Sequence, residues 1–258
     1  MKALLPTPSV HRGARRQRGF TLVEMMVAVT IGLVVILGVT VTFANLKATW
    51  GAQDKMAQLQ DNERLAMAFL TASVQEAGYY PDPTNPAPVP AFTDATYGNL
   101  NAAGQIIVGT AASGTSSATL STSYTTADGD GVLTCQGATN TTGGLVNVRN
   151  IFHVDAANKT LNCLVIANSS PSGLTTAMAA GDTALVSNVA SMDVLYGVDT
   201  DGTGTAYQYV AAGAMNATLW THVKSVRITL DFINPNAAQD PTHPTIRWVQ
   251  TINLMNNQ

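Results

Sequence analysis

Residues 18–46 read RGFTLVEMMVAVTIGLVVILGVTVTFANL, and this stretch decides the fold. After Glu24 no charged residue occurs until Lys47, an uncharged run of 22 positions from Met25 to Leu46. At about 1.5 Å per helical residue such a run crosses a hydrocarbon layer of about 30 Å, so a transmembrane helix is predicted over 20–46. Five of the thirteen basic residues (Lys2, Arg12, Arg15, Arg16, Arg18) precede it, and the first nineteen positions hold no acid. From residue 20 onward eight cations face sixteen carboxylates, a balance of −8. Basic residues ahead of the span, with a single Lys47 behind it, put the N-terminus in the cytoplasm and the rest of the chain across the membrane. A cleaved secretory signal fits poorly. Its apolar region runs about 7–15 residues and ends at a small-x-small site, of which Thr42-Phe43-Ala44 is a poor version.

Past Lys47 the helix is predicted to continue. Met56, Leu59, Ala66, Leu70, Val74 and Ala77 recur at near-helical spacing, and Asp54, Lys55, Asp61, Glu63 and Arg64 fill the other sides. No proline falls between residues 20 and 80, Gly78 stands where a left-handed C-cap is expected, and Pro81 forbids continuation. The segment 20–80 is therefore assigned to one long helix and its cap, with helical residues 20–77. Residues 81–90 hold five of the eleven prolines and form an extended connector. Beyond it Thr, Ser, Gly, Asn and Val alternate in short runs, which predicts an antiparallel β domain over 81–258. Candidate strands are 106–109, 118–124, 146–154, 160–167, 183–197, 207–211, 223–233 and 245–254. The clearest hairpin turns through Asp155–Lys159, and segment 110–144, close to low complexity, is expected to include long surface loops. The fold class is α+β.

Little chemistry is legible. Charged residues make up 11% of the chain, under half the usual share of about 25% for soluble domains. With 46% apolar residues the chain is not disordered, and without clustered cations after residue 20 it is not a nucleic-acid binder. Cys135 and Cys163 form no Cys-x-x-Cys pair; beyond a cytoplasmic membrane they are expected as a disulfide, two buried thiols being the alternative. His11, His153, His222 and His243 are scattered, and no nucleophile elbow, phosphate loop or dinucleotide fingerprint occurs. Asp199 and Asp201, like Asp128 and Asp130, alternate on glycine-rich turns in the manner of a weak calcium site. Neither turn continues to a bidentate glutamate, so tight turns are the better expectation. No enzymatic activity, cofactor or metal is expected.

Around Gly19 the sequence resembles the class III signal of type IV pilins and of type II secretion pseudopilins. The match comprises the basic leader, Gly19, Phe20, Thr21-Leu22-Val23, and Glu24 five residues after the glycine. This resemblance implies removal of a leader, residues 1–19, by a prepilin peptidase between Gly19 and Phe20, with N-methylation of Phe20. The physics agrees. Glu24 becomes the sole carboxylate of an apolar span, expensive to bury alone, and the new α-amine of Phe20 on a neighbouring subunit can pair with it in one register. Otherwise Glu24 snorkels at the headgroup layer.

LTASVQEAGYYPDP at 70–83 resembles the end of the long helix in PilW-type minor pilins. VASMDVLYGVDTDGTGTAYQYV from 189, followed by Trp220, Val223, Val226 and Arg227, resembles the C-terminal half of that family. The resemblance implies a structural subunit in a tip or priming complex that starts pilus assembly. Its partners would be other minor pilins and the major pilin through the N-terminal helix, the inner-membrane assembly platform and a tip adhesin. It would be held first in the inner membrane with a periplasmic head, then in the surface pilus. A type II secretion pseudopilin is the near alternative, an anchored adhesin or hydrolase the remote one.

Overall fold

The computed structural model describes residues 19–85, 87–94, 98–114, 116–169 and 181–256, with backbone alone at 93, 94, 98–101, 168 and 169. The leader through residue 18, with His11, lies outside them. Helix α1 runs without a break over Leu22–Glu76. The chain divides into two units at Gly51, inside that helix. In the first unit the large apolar side chains of the helix from Leu22 to Leu46 are exposed, Val34 by 70% and Leu37 by 67%. A helix apolar on every side has no internal face to bury and suits an apolar surrounding. Among the described residues it is the one helix long and apolar enough to cross a membrane.

Among the described residues the second unit, from Ala52, is built from the rest of α1 and eleven strands. The head expected from residue 81 onward thus also takes in the last part of the helix. The strands are β1 (Phe92–Asp94), β2 (Gly98–Asn101), β3 (Ile107–Thr110), β4 (Thr119–Thr126), β5 (Val146–Asp155), β6 (Thr160–Ser169), β7 (Thr183–Ser187), β8 (Val189–Val198), β9 (Gln208–Ala211), β10 (Val223–Ile233) and β11 (Thr245–Asn253). Helix α2, Ala217–Thr221, precedes β10 and is capped by the Asn216 side chain. Every pairing is antiparallel, in a five-stranded sheet β3-β4-β5-β6-β7, a four-stranded sheet β11-β10-β8-β9 and the hairpin β1-β2. The fold is α+β, as expected.

Helix and sheets meet in one core. Leu59, Ala66, Met67, Leu70 and Val74 of α1 are buried with Leu120 and Tyr124 of β4, Val148 and Phe152 of β5, Val194 and Tyr196 of β8, and Ile228 and Leu230 of β10. The predicted stripe is therefore the packed face, with one correction. Glu63, assigned to a solvated side, is 4% exposed. It sits four residues after Leu59 and three before Ala66, on the buried row itself, and burial raises its pKa. A polar tie fixes the helix to the five-stranded sheet. Ser73 Oγ lies 2.7 Å from Thr122 Oγ1 and accepts from Asn150 Nδ2 at 3.2 Å.

Two further differences from expectation concern the strands. The predicted strand 183–197 is two strands, because Asn188 takes the left-handed conformation (φ 65°) and sends β7 and β8 into different sheets. β1 and β2 arise after the proline connector, where no strand was expected. Within 110–144 the strand expected at 118–124 forms as β4, and all eight of its residues are buried. The hairpin at Asp155 forms as predicted, with Asp155 Oδ1 accepting from the amides of Ala157 and Asn158 and Lys159 at φ 56°. The helix ends where Gly78 reaches φ 78°. A Cβ there would come within 2.6 Å of the Asn256 carbonyl oxygen, while Asn256 Nδ2 donates to the Gln75 carbonyl.

Candidate functional site

The sequence motif places Gly19, Phe20, Thr21 and Glu24 at the head of α1. Thr21 is the residue before the first helical position, and Glu24 is the third residue inside. The Thr21 amide and hydroxyl both donate to Glu24 Oε2 at 3.3 Å, and the Glu24 amide donates to Thr21 Oγ1 at 3.3 Å. This reciprocal pattern is a capping box, satisfying amides that the first helical turn leaves without partners. Glu24 also lies at the positive end of the helix dipole, where a carboxylate is favoured. Sequence reasoning gave Glu24 an intermolecular role or a place at the headgroup layer, and the Thr-x-x-Glu spacing was the signal for this local one. Phe20 is 85% exposed just ahead of the cap, and nothing lies within 4 Å of the position a Cβ would take on Gly19. The geometry brings together an accessible Gly–Phe bond, a defined helix start and one carboxylate beside it.

The other residues singled out lie far along the chain and do not join this site. Cys135 and Cys163 are bonded, with Cα atoms 6.5 Å apart. The bridge ties the loop after β4 to β6, reinforced by Gln136 Nε2 donating to the Cys163 carbonyl at 2.8 Å. Asp199 Oδ1 accepts from the amides of Gly202 and Thr203, and Oδ2 from that of Gly204. Asp201 Oδ1 accepts from Thr203. Asp130 accepts from the Thr126 hydroxyl and the amides of Ala127 and Val132. These carboxylates fold their own loops, which gives the tight turns expected. His153 pairs with Asp182 and His243 with Asp240, and His222 Nδ1 lies 2.8 Å from the Thr218 carbonyl. Among the described residues no three His, Cys, Asp or Glu side chains gather as a metal site would require.

Comparison with known proteins bears on both ends of the chain. Residues 14–40 match the prokaryotic N-terminal methylation motif. Residues 151–251, from β5 to β11, match the family "Type IV Pilus-assembly protein W" (PilW). That span extends the resemblance seen from 189 back through the β5–β6 hairpin and leaves the helix end at 70–83 outside it. No curated protein matches the chain. Among solved structures a type IV-like pilin from Thermus thermophilus is similar over 77% of this chain and 96% of its own, at 9% identity and a TM-score of 0.41. A methylation signal on an exposed apolar helix, followed by an antiparallel β head, defines a type IV pilin-like protein. Within that class the family model that matches is PilW, over residues 151–251 of the β head.

The methylation motif and the PilW match point to a pilin-type structural role, and the apolar helix fits a membrane anchor.

Proposed function

We propose that the protein is a minor pilin that joins other minor pilins in a priming or tip complex from which the pilus grows. The leader, residues 1–19, is removed at the Gly19–Phe20 bond by prepilin peptidase, and Phe20 is N-methylated. The helix 20–80, spanning the inner membrane through 20–46, then packs against other minor pilins and the major pilin, while the head stays periplasmic until export. The assembly platform extracts the subunit, and a tip adhesin binds beyond it. Glu24 sets the register by accepting the α-amine of Phe20 from a neighbouring subunit.

The observation that carries this proposal is the isolation of Glu24. It is the one carboxylate between Phe20 and Lys47, on a helix whose own exposed side chains are apolar. Its bonds to Thr21, all 3.3 Å long, are at the weak end of the range and leave it able to accept a cation. Mass spectrometry of the protein isolated from membranes and from sheared pili tests the proposal. The expected N-terminus is N-methylphenylalanine at residue 20. An uncut chain, or one starting at residue 45, overturns it. A pseudopilin of type II secretion would share this terminus, and the PilW match over 151–251 favours the pilus. Loss of piliation on deletion, with secretion unchanged, separates the two.

A further inference from the structure

Three buried side-chain polar atoms lack a hydrogen-bond partner among the described residues: Ser121 Oγ, Arg149 Nη1 and Arg149 Nη2. They lie on one face of one strand pair. Thr122 and Asn150 meet Ser73 of α1, so strand alternation turns Ser121, Ser123, Arg149 and Ile151 to the opposite face of the five-stranded sheet. In the β4–β5 register Arg149 stands opposite Ser123 and Ile151 opposite Ser121. Ser121 is therefore the diagonal neighbour of Arg149, about 7–8 Å away along the backbone and within reach of a long side chain.

Arg149 is 0% exposed and heads the largest fully buried side chains. Its Nε donates to Ser123 Oγ at 2.8 Å, and its guanidinium carbon lies 5.1 Å from the centre of the Phe92 ring. On the same face Val108 and Ile151 pack with Leu164, Ile166 and Trp220 in a small apolar cluster. Burial lowers the guanidinium pKa to about 9, which leaves it a cation at neutral pH. One hydrogen bond and one ring face replace only part of the hydration that a guanidinium gives up. The two free nitrogens form the end of the fork, the geometry that grips both oxygens of a carboxylate.

We propose that Arg149, with the Ser121 hydroxyl as a third donor, is an internal receptor for one small carboxylate anion, held on the outer face of the five-stranded sheet beside Phe92. Size follows from access. Arg149 and Phe92 are at most 1% exposed, which keeps a partner's polypeptide out and leaves only a compact anion as occupant of the proposed site. The site is separate from the N-terminal assembly residues and does not rest on their role.

Thermal unfolding of the full chain in detergent tests the proposal, with sodium acetate titrated against sodium chloride at matched ionic strength and inorganic phosphate as a second oxyanion. Acetate is expected to raise the midpoint saturably, by about 3–6 °C at tenfold excess over its Kd, and phosphate to give less. Arg149→Lys keeps the charge but loses the fork and should remove most of the shift. Ser121→Ala should weaken acetate binding about twofold to tenfold. Should the arginine variant fail to fold, line broadening of carbonyl-labelled acetate by the wild type and by Ser121→Ala reads the same binding. The proposal is overturned by the absence of a saturable acetate effect, by an equal response to phosphate, or by a response that survives Arg149→Lys. A higher midpoint in Arg149→Met with no acetate effect in the wild type marks a merely hydrated guanidinium, and overturns it as well.

Discussion

The two parts of α1 on either side of Gly51 share a backbone geometry and differ in almost everything else. Before that point valines, leucines and isoleucines surround the axis and remain exposed, as Val34 and Leu37 do. After it the apolar residues keep to one stripe, and Leu70 and Val74 have no exposed surface. Helix propensity does not separate the two parts; what surrounds each of them does. Composition marks a segment that needs an apolar solvent, and periodicity marks a segment that needs a sheet to pack on.

The sharpest way to break this contrast is to make the same substitution on both sides. Leu70→Ala removes a fully buried side chain and is expected to destabilise the head by about 4 kcal/mol, or about 8–16 °C in midpoint. Leu37→Ala removes an exposed one, 67% accessible, and should leave the midpoint of the head within about 0.5 kcal/mol of wild type. Thermal unfolding of the full chain in detergent, followed by near-ultraviolet dichroism, compares them directly. Equal effects would erase the contrast between the exposed and the buried position.

Next in size is the disulfide. Removing both cysteines, as Cys135→Ser with Cys163→Ser, frees a loop closed over a sequence separation of 28 and should destabilise the head by about 3 kcal/mol. The same midpoint measurement checks it, and the helix before Gly51 should keep its far-ultraviolet signal.

A smaller effect distinguishes the packed part by pH. Burial raises the Glu76 pKa from 4.5 to about 7, in a groove it lines with Leu65, Phe69 and Leu133. For an acid whose native pKa lies above its unfolded value, the native state binds the extra proton. Stability is therefore greatest below about 4.5 and falls as pH rises through about 7. Since the carboxyl is partly solvated, we expect a slope totalling only about 1–2 kcal/mol between pH 5 and 8. Glu76→Gln should flatten it and be the more stable chain at pH 8, as read from denaturant midpoints at the two pH values.

The same contrast explains which features the sequence revealed. The uncharged run from Met25, the proline-free stretch to residue 80 and the stripe from Leu59 to Val74 are local patterns, and each was readable. Strands β5, β6, β10 and β11 were readable too, because alternation over nine to eleven residues carries its own signal. Asn188 was hidden, since nothing in VSNVAS distinguishes a bulge from a change of sheet until β6 and β10 compete for its two flanks. Glu63 was misplaced because its side chain is polar while its position is not. Arg149 looked like an ordinary strand residue, and only the second layer over its sheet makes it a buried cation.

The smallest expected effect separates two roles of one side chain. In a single chain Glu24 closes a capping box with Thr21; in an assembly it is proposed to hold a neighbour's amine. Glutamine can occupy the third helical position of a capping box, so Glu24→Gln should keep the helix start and lose the charge. Thr21→Ala does the reverse, removing the cap at about 1 kcal/mol while leaving the carboxylate in place. Amide exchange at residues 22–25 in detergent should accelerate in Thr21→Ala and stay near wild type in Glu24→Gln. Incorporation into sheared pili should fail in Glu24→Gln and persist in Thr21→Ala. If both variants lose incorporation in proportion to amide exchange, the carboxylate acts by capping its own helix, and the intermolecular pair is not what sets the register.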